Sequence, residues 1–170
     1  NLKQWESAIQ VYNKALALEP ANADLQLGLA LTQADSGKPD QAVARAKALV
    51  AAKPDDATRR MALGYAYSRA GNRYDSLFEY DQAFNRAGSK PEVIREYINA
   101  LQRARLPEPA LRLARLRPGV VDAVTIRRLE GDLAAERVRL AELATRTEQE
   151  RYVIADRALA DYDKLIATWS

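Results

Sequence analysis

The residues that end helices recur along this chain with a spacing of 34 positions. Pro20 and Pro54 keep this spacing, and so do Gly37 and Gly71. Proline cannot continue a helix, and glycine readily adopts the left-handed conformation in which many helices end. Small residues that allow close helix packing recur at the same spacing, at Ala8, Ala42 and Ser76. The pattern therefore predicts one helix–turn–helix unit repeated along the chain.

A 34-residue unit of helix, turn, helix and turn is the tetratricopeptide pattern. It predicts an all-α fold, a right-handed superhelical solenoid that forms one domain over 1–170. The predicted parts are the second helix of a truncated repeat at 1–20, full repeats at 23–54 and 57–88, a degenerate repeat at 91–117, and longer C-terminal helices at 120–170. Because no first helix precedes 1–20, we expect the sequence to start inside a longer solenoid and this helix to expose an apolar face.

Local signals predict where several helices start. Ser89-x-x-Glu92 and Thr147-x-x-Glu150 match the capping box, in which two residues satisfy each other's backbone donors at a helix start. Pro107 predicts the start of the second helix of the degenerate repeat, since proline favours the first helical position. One long helix is predicted over 122–144, and a last helix from Thr147 onwards.

The composition excludes several classes of function. The chain has no cysteine and no histidine, which excludes thiol chemistry, the usual zinc sites and an imidazole base. We therefore predict that it is not an enzyme and has no catalytic residue, metal or cofactor. The net charge of +3 is spread too weakly to predict nucleic-acid binding. No apolar run reaches the length of about 18 residues that would predict a membrane span.

Repeat solenoids usually bind partners on their concave face, which the first helices of the repeats line. In this register the groove is expected to be acidic at its first end and basic at its last. The predicted groove residues are Asp24, Leu27, Leu31, Ala34 and Asp35, then Thr58, Met61, Tyr65, Ser68 and Arg69, then Glu92, Arg95, Asn99, Gln102 and Arg103.

Five of these residues are candidate ligand contacts: Asp24, Asp35, Tyr65, Arg69 and Asn99. Tyr65 could stack on a sugar ring or a peptide side chain, or it could fill a gap between repeats. Asp24 and Asp35 could hold a cationic ligand, or they could be solvated helix ends.

A short basic stripe lies further along the chain. Arg112 and Arg115 are candidates for docking an acidic partner, and the alternative is a solvated helix face.

Two stretches resemble the periplasmic tetratricopeptide region of the outer-membrane porins that export poly-β-1,6-N-acetylglucosamine. They are "QWESAIQVYNKALALEPANADLQLGLALTQADSGKPDQA" and, more specifically, "TRTEQERYVIADRAL". The resemblance implies a periplasmic domain of an outer-membrane protein that serves biofilm exopolysaccharide export. It implies three partners: partly deacetylated poly-N-acetylglucosamine, the periplasmic polysaccharide deacetylase, and an outer-membrane β-barrel C-terminal to Ser170 in the same chain.

Three hypotheses follow. In the first, the domain binds the partly de-N-acetylated polymer along its groove and guides it to the barrel. In the second, it is a protein–protein scaffold that docks the deacetylase or a peptide and does not touch sugar. In the third, it is a spacer that only positions neighbouring modules.

Overall fold

The computed structural model describes residues 2–87, 89–145, 149–150, 152–153, 156 and 160. The chain divides into two compact units, Asn1–Leu129 and Glu130–Ser170. The helices of the described residues are α1 (Leu2–Leu18), α2 (Ala23–Asp35), α3 (Pro39–Ala52), α4 (Ala57–Arg69), α5 (Arg73–Ala87), α6 (Pro91–Arg103), α7 (Pro107–Leu116) and α8 (Ala123–Ala144). The all-α prediction is confirmed.

Helices α1 to α7 of the first unit pack in chain order, each against the next. In addition α2 contacts α4, and α4 contacts α6. The first helices of successive pairs therefore lie side by side, as in a tetratricopeptide solenoid, and they form the surface on which a groove can be built.

The start of each of the first helices α2 and α4 is fixed by a polar side chain. Asn22 Oδ1 accepts hydrogen bonds from the backbone N–H groups of Asp24 and Leu25. Asp56, 34 positions further on, does the same for Thr58 and Arg59. Such caps satisfy backbone donors that would otherwise have no partner. Burial raises the pKa of Asp56, but the N–H groups of Arg59 and Thr58 and two nearby cations outweigh it and lower the pKa overall.

The turns between paired helices use the left-handed conformation that the glycines predicted. Gly37 has φ of 81° and Gly71 has φ of 83°. The next position in the period is occupied by Arg105, which also has a positive φ, 55°. The structural period thus continues into the degenerate repeat, although the sequence no longer carries glycine there.

One predicted helix start is wrong. The helix after Ser89 begins at Pro91, with Lys90 as its N-cap and no side-chain cap. Proline at the first helical position sets this boundary, so Ser89 lies one residue outside the capping position. Pro107 does begin α7, as predicted. The predicted capping box at Thr147 and the helix following it fall outside the described residues, apart from six isolated positions.

Small side chains dominate the core between the first two helix pairs. A buried cluster is formed by Ala34, Ala42, Ala46, Leu63 and Ala66. Alanine lets helix axes approach closely, and its helix propensity is high. The described helices include none long and apolar enough to cross a membrane.

Polar contacts also join neighbouring helices: Arg59 links α4 to α3 of the preceding pair, and Arg60 links α4 to α5 within its own pair. Arg59 Nη1 donates to the carbonyl of Leu49 at 2.9 Å, near the end of α3. Arg60 Nη1 lies 2.9 Å from Glu79 Oε2, and only about a tenth of each side chain is exposed, at 12% and 11%.

Apolar side chains on α1 are exposed, as the sequence led us to expect. Trp5 is 37% exposed, Val11 66% and Leu18 85%. In the second unit, the described part of α8 buries no residue and exposes Val138 and Leu140.

Candidate ligand-binding groove

A pocket of about 330 Å³ opens on the side of the first unit where α2 and α4 lie next to each other. Its volume is at the lower end of the range of about 300–1,000 Å³ that is typical of small-molecule sites. The lining residues are Leu27, Leu31, Asp35, Thr58, Met61, Ala62, Tyr65, Tyr80 and Glu96. We call this set the groove pocket.

Helix periodicity explains why these residues meet. The lining residues of α2 are four positions apart. On α4, Met61 and Ala62 are neighbours, and each lies three or four positions from Thr58 and Tyr65, so each set shares one face of its helix. The repeat register alone predicts six of them as groove residues: Leu27, Leu31, Asp35, Thr58, Met61 and Tyr65. Most of the lining is apolar, and the polar groups stand at its edges.

The first polar edge is a contact network centred on Asp35. The Tyr65 hydroxyl donates a hydrogen bond to Asp35 Oδ1. Arg69 Nε lies 3.5 Å from the same oxygen, and it also donates to the carbonyl of Ala34 at 3.4 Å. Three predicted site residues, Asp35, Tyr65 and Arg69, are therefore brought together.

This network orients Tyr65 and disfavours its ionisation. Burial, followed by the hydrogen bond to Asp35 and that residue's negative charge, raises the pKa of Tyr65 from 10.0 to about 12. The hydroxyl, which is protonated at neutral pH in either case, therefore remains a donor further into alkaline pH. Because Asp35 is already in contact with Tyr65 and Arg69, a cationic ligand would have to share this carboxylate with them.

The second polar edge is Glu96 on α6, which was not among the predicted site residues. Its Oε1 accepts a long hydrogen bond of 3.4 Å from Asn99 Nδ2. Within 2–87 and 89–145 it forms no ion pair. Glu96 lies 34 positions after Ala62, which also lines the pocket. This shared repeat position was omitted from the predicted groove, and the period itself was the signal that could have revealed it.

Tyr80 forms the back of the pocket. Its side chain is 1% exposed. Burial raises its pKa, the charge of Arg103 opposes this rise, and the charge of Glu96 adds to it.

The other predicted contacts lie apart from the pocket or beside it. Asp24 is exposed in the first turn of α2 and does not line the pocket. It precedes Asp35 by 11 positions, which is about 16 Å along a helix at 1.5 Å per residue. Asn99 is half-buried and touches the pocket only through Glu96.

Arg112 and Arg115 lie on α7, the second helix of its pair, and both are exposed. The buried side of α7 is formed by Pro107, Ala110, Leu111, Leu113 and Ala114. The two arginines are therefore on a helix that does not contribute to the groove pocket, and any partner of theirs would use a different surface.

The chemistry of the pocket suits binding. An apolar floor with a fixed tyrosine hydroxyl and two carboxylates can hold a ligand that combines an apolar surface with a cationic group. Among the described residues no group of three acidic, histidine or cysteine side chains could hold a metal ion.

Comparison with known proteins supports this architecture. The family model described as "Tetratricopeptide repeat" matches residues 2–64. The poly-beta-1,6-N-acetyl-D-glucosamine export protein of Escherichia coli strain K12 is 38% identical over 169 residues. The match covers 99% of this chain and 20% of that protein, and the protein of E. coli O157:H7 matches equally well. The resemblance inferred from the sequence is confirmed, and the chain spans about a fifth of the length of these relatives.

Solved structures confirm the fold. A thermophilic tetratricopeptide protein of Thermus thermophilus superposes with a TM-score of 0.65 at 20% identity, covering 94% of this chain and 92% of that one. MamA from Desulfovibrio magneticus RS-1 superposes with a TM-score of 0.56 at 19% identity, covering 76% and 68%. The fold is a tetratricopeptide solenoid, which is a scaffold fold. Together with a relative named as an export protein, it agrees with the prediction that the domain is not an enzyme.

Proposed function

Because the chain is a tetratricopeptide repeat region homologous to part of a poly-β-1,6-N-acetyl-D-glucosamine export protein, we propose that it is a periplasmic scaffold in biofilm polysaccharide export. In this proposal its groove binds the partly de-N-acetylated polymer and guides it towards the outer-membrane pore. The observation that carries the proposal is the groove pocket, where an apolar floor lies between carboxylates and beside a fixed tyrosine.

The chemistry of the polymer matches these features. Removal of acetyl groups leaves ammonium groups, which form charge-assisted hydrogen bonds with carboxylates. The C–H faces of pyranose rings are apolar and pack on aromatic rings. Asp35, Tyr65 and Arg69 act as one unit in this proposal, since Asp35 holds the tyrosine in place. Asp24 and Asn99 extend the contacts along the groove, and each contact is weak enough for the polymer to slide.

Calorimetric titration of this domain tests the proposal. We expect partly de-N-acetylated glucosamine oligomers to bind more tightly than fully acetylated ones of the same length. Tyr65→Ala is expected to weaken binding by about threefold to tenfold, the equivalent of roughly 0.7–1.4 kcal/mol. Tyr74→Ala is the matched control, because Tyr74 is an exposed tyrosine on α5, away from the pocket. Absent binding, or equal binding of both oligomers, contradicts the proposal.

A second candidate function is docking of the periplasmic polysaccharide deacetylase. It is favoured by α7, which exposes Arg112 and Arg115 next to Leu116, whose exposure is 63%. A basic surface with an exposed leucine fits an acidic protein partner better than it fits a cationic polymer.

A pull-down of the deacetylase separates this function from sugar binding. Arg112→Glu with Arg115→Glu is expected to abolish capture, whereas the matched pair Arg127→Glu with Arg128→Glu on α8 leaves it intact. Capture should persist at saturating oligosaccharide, because α7 does not line the groove pocket. Capture that survives the first pair, or that the sugar abolishes, argues against a docking site on α7.

A further inference from the structure

We propose that the groove pocket is a subsite for the acetamido group of one N-acetylglucosamine unit and that Glu96 binds the ammonium group of a neighbouring unit. The site then recognises a segment in which acetylated and free amines occur together. This inference rests on the proposed function and deepens it, because a ligand with ammonium groups alone would leave the apolar floor of the pocket without a contact.

The floor of the pocket is what an acetyl methyl group requires. It is formed by Leu27, Leu31, Met61 and Ala62, from the facing sides of α2 and α4. A methyl group placed here leaves water for an apolar surrounding, which is favourable. An ammonium group in the same place would lose its hydration without gaining a partner from the floor, which is unfavourable. Thr58 lines the pocket as well, and its hydroxyl can donate to the acetyl carbonyl.

The two carboxylates of the pocket are not equivalent. Asp35 accepts from Tyr65 and lies near Arg69, so much of its charge is compensated. Glu96 accepts the long hydrogen bond from Asn99 and forms no ion pair within 2–87 and 89–145, although Arg103 lies near the same Tyr80 side chain. A ligand ammonium therefore gains more at Glu96 than at Asp35, where it would have to compete with two groups already in place.

This arrangement predicts a ranking of ligands. A fully acetylated chain fills the floor but leaves Glu96 without a cation. A fully de-N-acetylated chain reaches Glu96 but places no methyl group on the floor. A mixed chain places a methyl group on the floor and an ammonium group at Glu96, so it should bind most tightly. Changing either the floor or Glu96 should remove one of these two contributions and leave the other.

Titration with three glucosamine tetrasaccharides of defined pattern tests the inference: fully acetylated, fully de-N-acetylated and mixed. For the unchanged domain we expect the mixed ligand to bind about fourfold more tightly than the de-N-acetylated one, the equivalent of burying one methyl group. Leu31→Gln should remove this difference. Leu31 suits the test because 36% of its side chain is exposed, so the change is compatible with folding. Leu18→Gln, an identical change at an exposed leucine on α1, should preserve the difference.

Glu96→Gln tests the ammonium site. It should remove the preference for the mixed over the fully acetylated ligand and preserve the preference for the mixed over the de-N-acetylated ligand. Glu108→Gln on α7, an exposed carboxylate away from the pocket, is the matched control.

The possible failures are distinguishable. Binding of the mixed and de-N-acetylated ligands with equal affinity overturns the acetamido subsite and leaves polymer binding standing. If the preference for the mixed over the de-N-acetylated ligand survives Leu31→Gln, the acetamido subsite is likewise overturned. If the preference for the mixed over the fully acetylated ligand survives Glu96→Gln, the ammonium site at Glu96 is overturned instead. If none of the three ligands binds the unchanged domain, the proposed function itself is overturned, and this inference with it.

Discussion

Gly64→Ala probes the packing directly behind the groove pocket. Gly64 lies on α4 where that helix crosses α5. An added Cβ would lie 3.0 Å from Tyr80 Cδ2, 3.1 Å from Tyr80 Cε2 and 3.1 Å from the backbone oxygen of Ser76. Neither neighbour can move easily. Tyr80 is only 1% exposed, and the Ser76 oxygen belongs to the backbone of a helix.

Two opposing effects decide the sign of this change. Alanine in place of glycine favours a helix by about 1 kcal/mol. Overpacking in a core costs about 1–3 kcal/mol, and we place this site in the upper half of that range because both contacts are rigid. The net expectation is a loss of about 1–2 kcal/mol in the free energy of unfolding. For a chain of this size that lowers Tm by roughly 3–6 °C.

Thermal unfolding followed by circular dichroism measures the effect. The same substitution at Gly131 is the control, because an added Cβ there meets nothing within 4 Å. That change should leave Tm unchanged or raise it. A double-mutant cycle with Tyr80→Leu isolates the contact, since Gly64→Ala should be tolerated once the ring is gone. A rise in Tm for Gly64→Ala alone, or an equal loss in the Tyr80→Leu background, refutes the packing argument.

Three further predictions concern single contacts. Glu79→Gln should reduce the free energy of unfolding, measured in urea, by about 3 kcal/mol, because it leaves the buried Arg60 without its anion. The double change Arg60→Met with Glu79→Leu removes both charges and should therefore reduce the free energy of unfolding by less than Glu79→Gln does. Asp35→Asn should lower the pKa of Tyr65 below about 12 in an NMR titration of the ring carbons. Because folding raises that pKa, its contribution to the free energy of unfolding should be complete below pH 10.0 and be lost as the pH rises towards about 12. Urea unfolding at several pH values measures this loss. Arg105→Gly should raise Tm, since relief of a left-handed arginine is worth about 1–2 kcal/mol and the added chain entropy of glycine costs only about 0.5–1 kcal/mol.

The sequence predicted the elements whose signals are local. Gly37 and Gly71 adopt the left-handed turn conformation because a helix end needs a positive φ, and glycine has no Cβ to oppose it. The period then placed Leu31, Met61 and Tyr65 on the surface that lines the pocket. A helix of known register fixes which residues share a face, so this part of the site follows from spacing alone.

Other features depend on interactions that spacing does not encode. Ser89 matched a capping box, but the fixed φ of Pro91 places the helix start one residue later than the motif requires. Arg105 takes the left-handed turn position although its residue type gives no signal for it, and only its place 34 positions after Gly71 indicates the turn.

The electrostatics of the candidate site also differ from what the sequence predicts. Asp24 and Asp35 looked alike as helix-end carboxylates in the sequence. In the structure Asp35 is in contact with Tyr65 and Arg69, while Asp24 lies exposed at the other end of α2. Contacts between helices decide which carboxylate of the pocket is paired: Asp35 contacts an arginine of α4, whereas Glu96 forms no ion pair within 2–87 and 89–145.

A ¹⁵N–¹H NMR titration of the domain with a partly de-N-acetylated glucosamine oligomer tests polymer binding in the groove residue by residue. We expect the largest shift changes on α2, α4 and α6, around Leu31, Tyr65 and Glu96, with a smaller change near Tyr80, while α3 and the rest of α5 stay unchanged. Changes confined to the second helices of the pairs, or no change at a large excess of the oligomer, would contradict polymer binding in the groove.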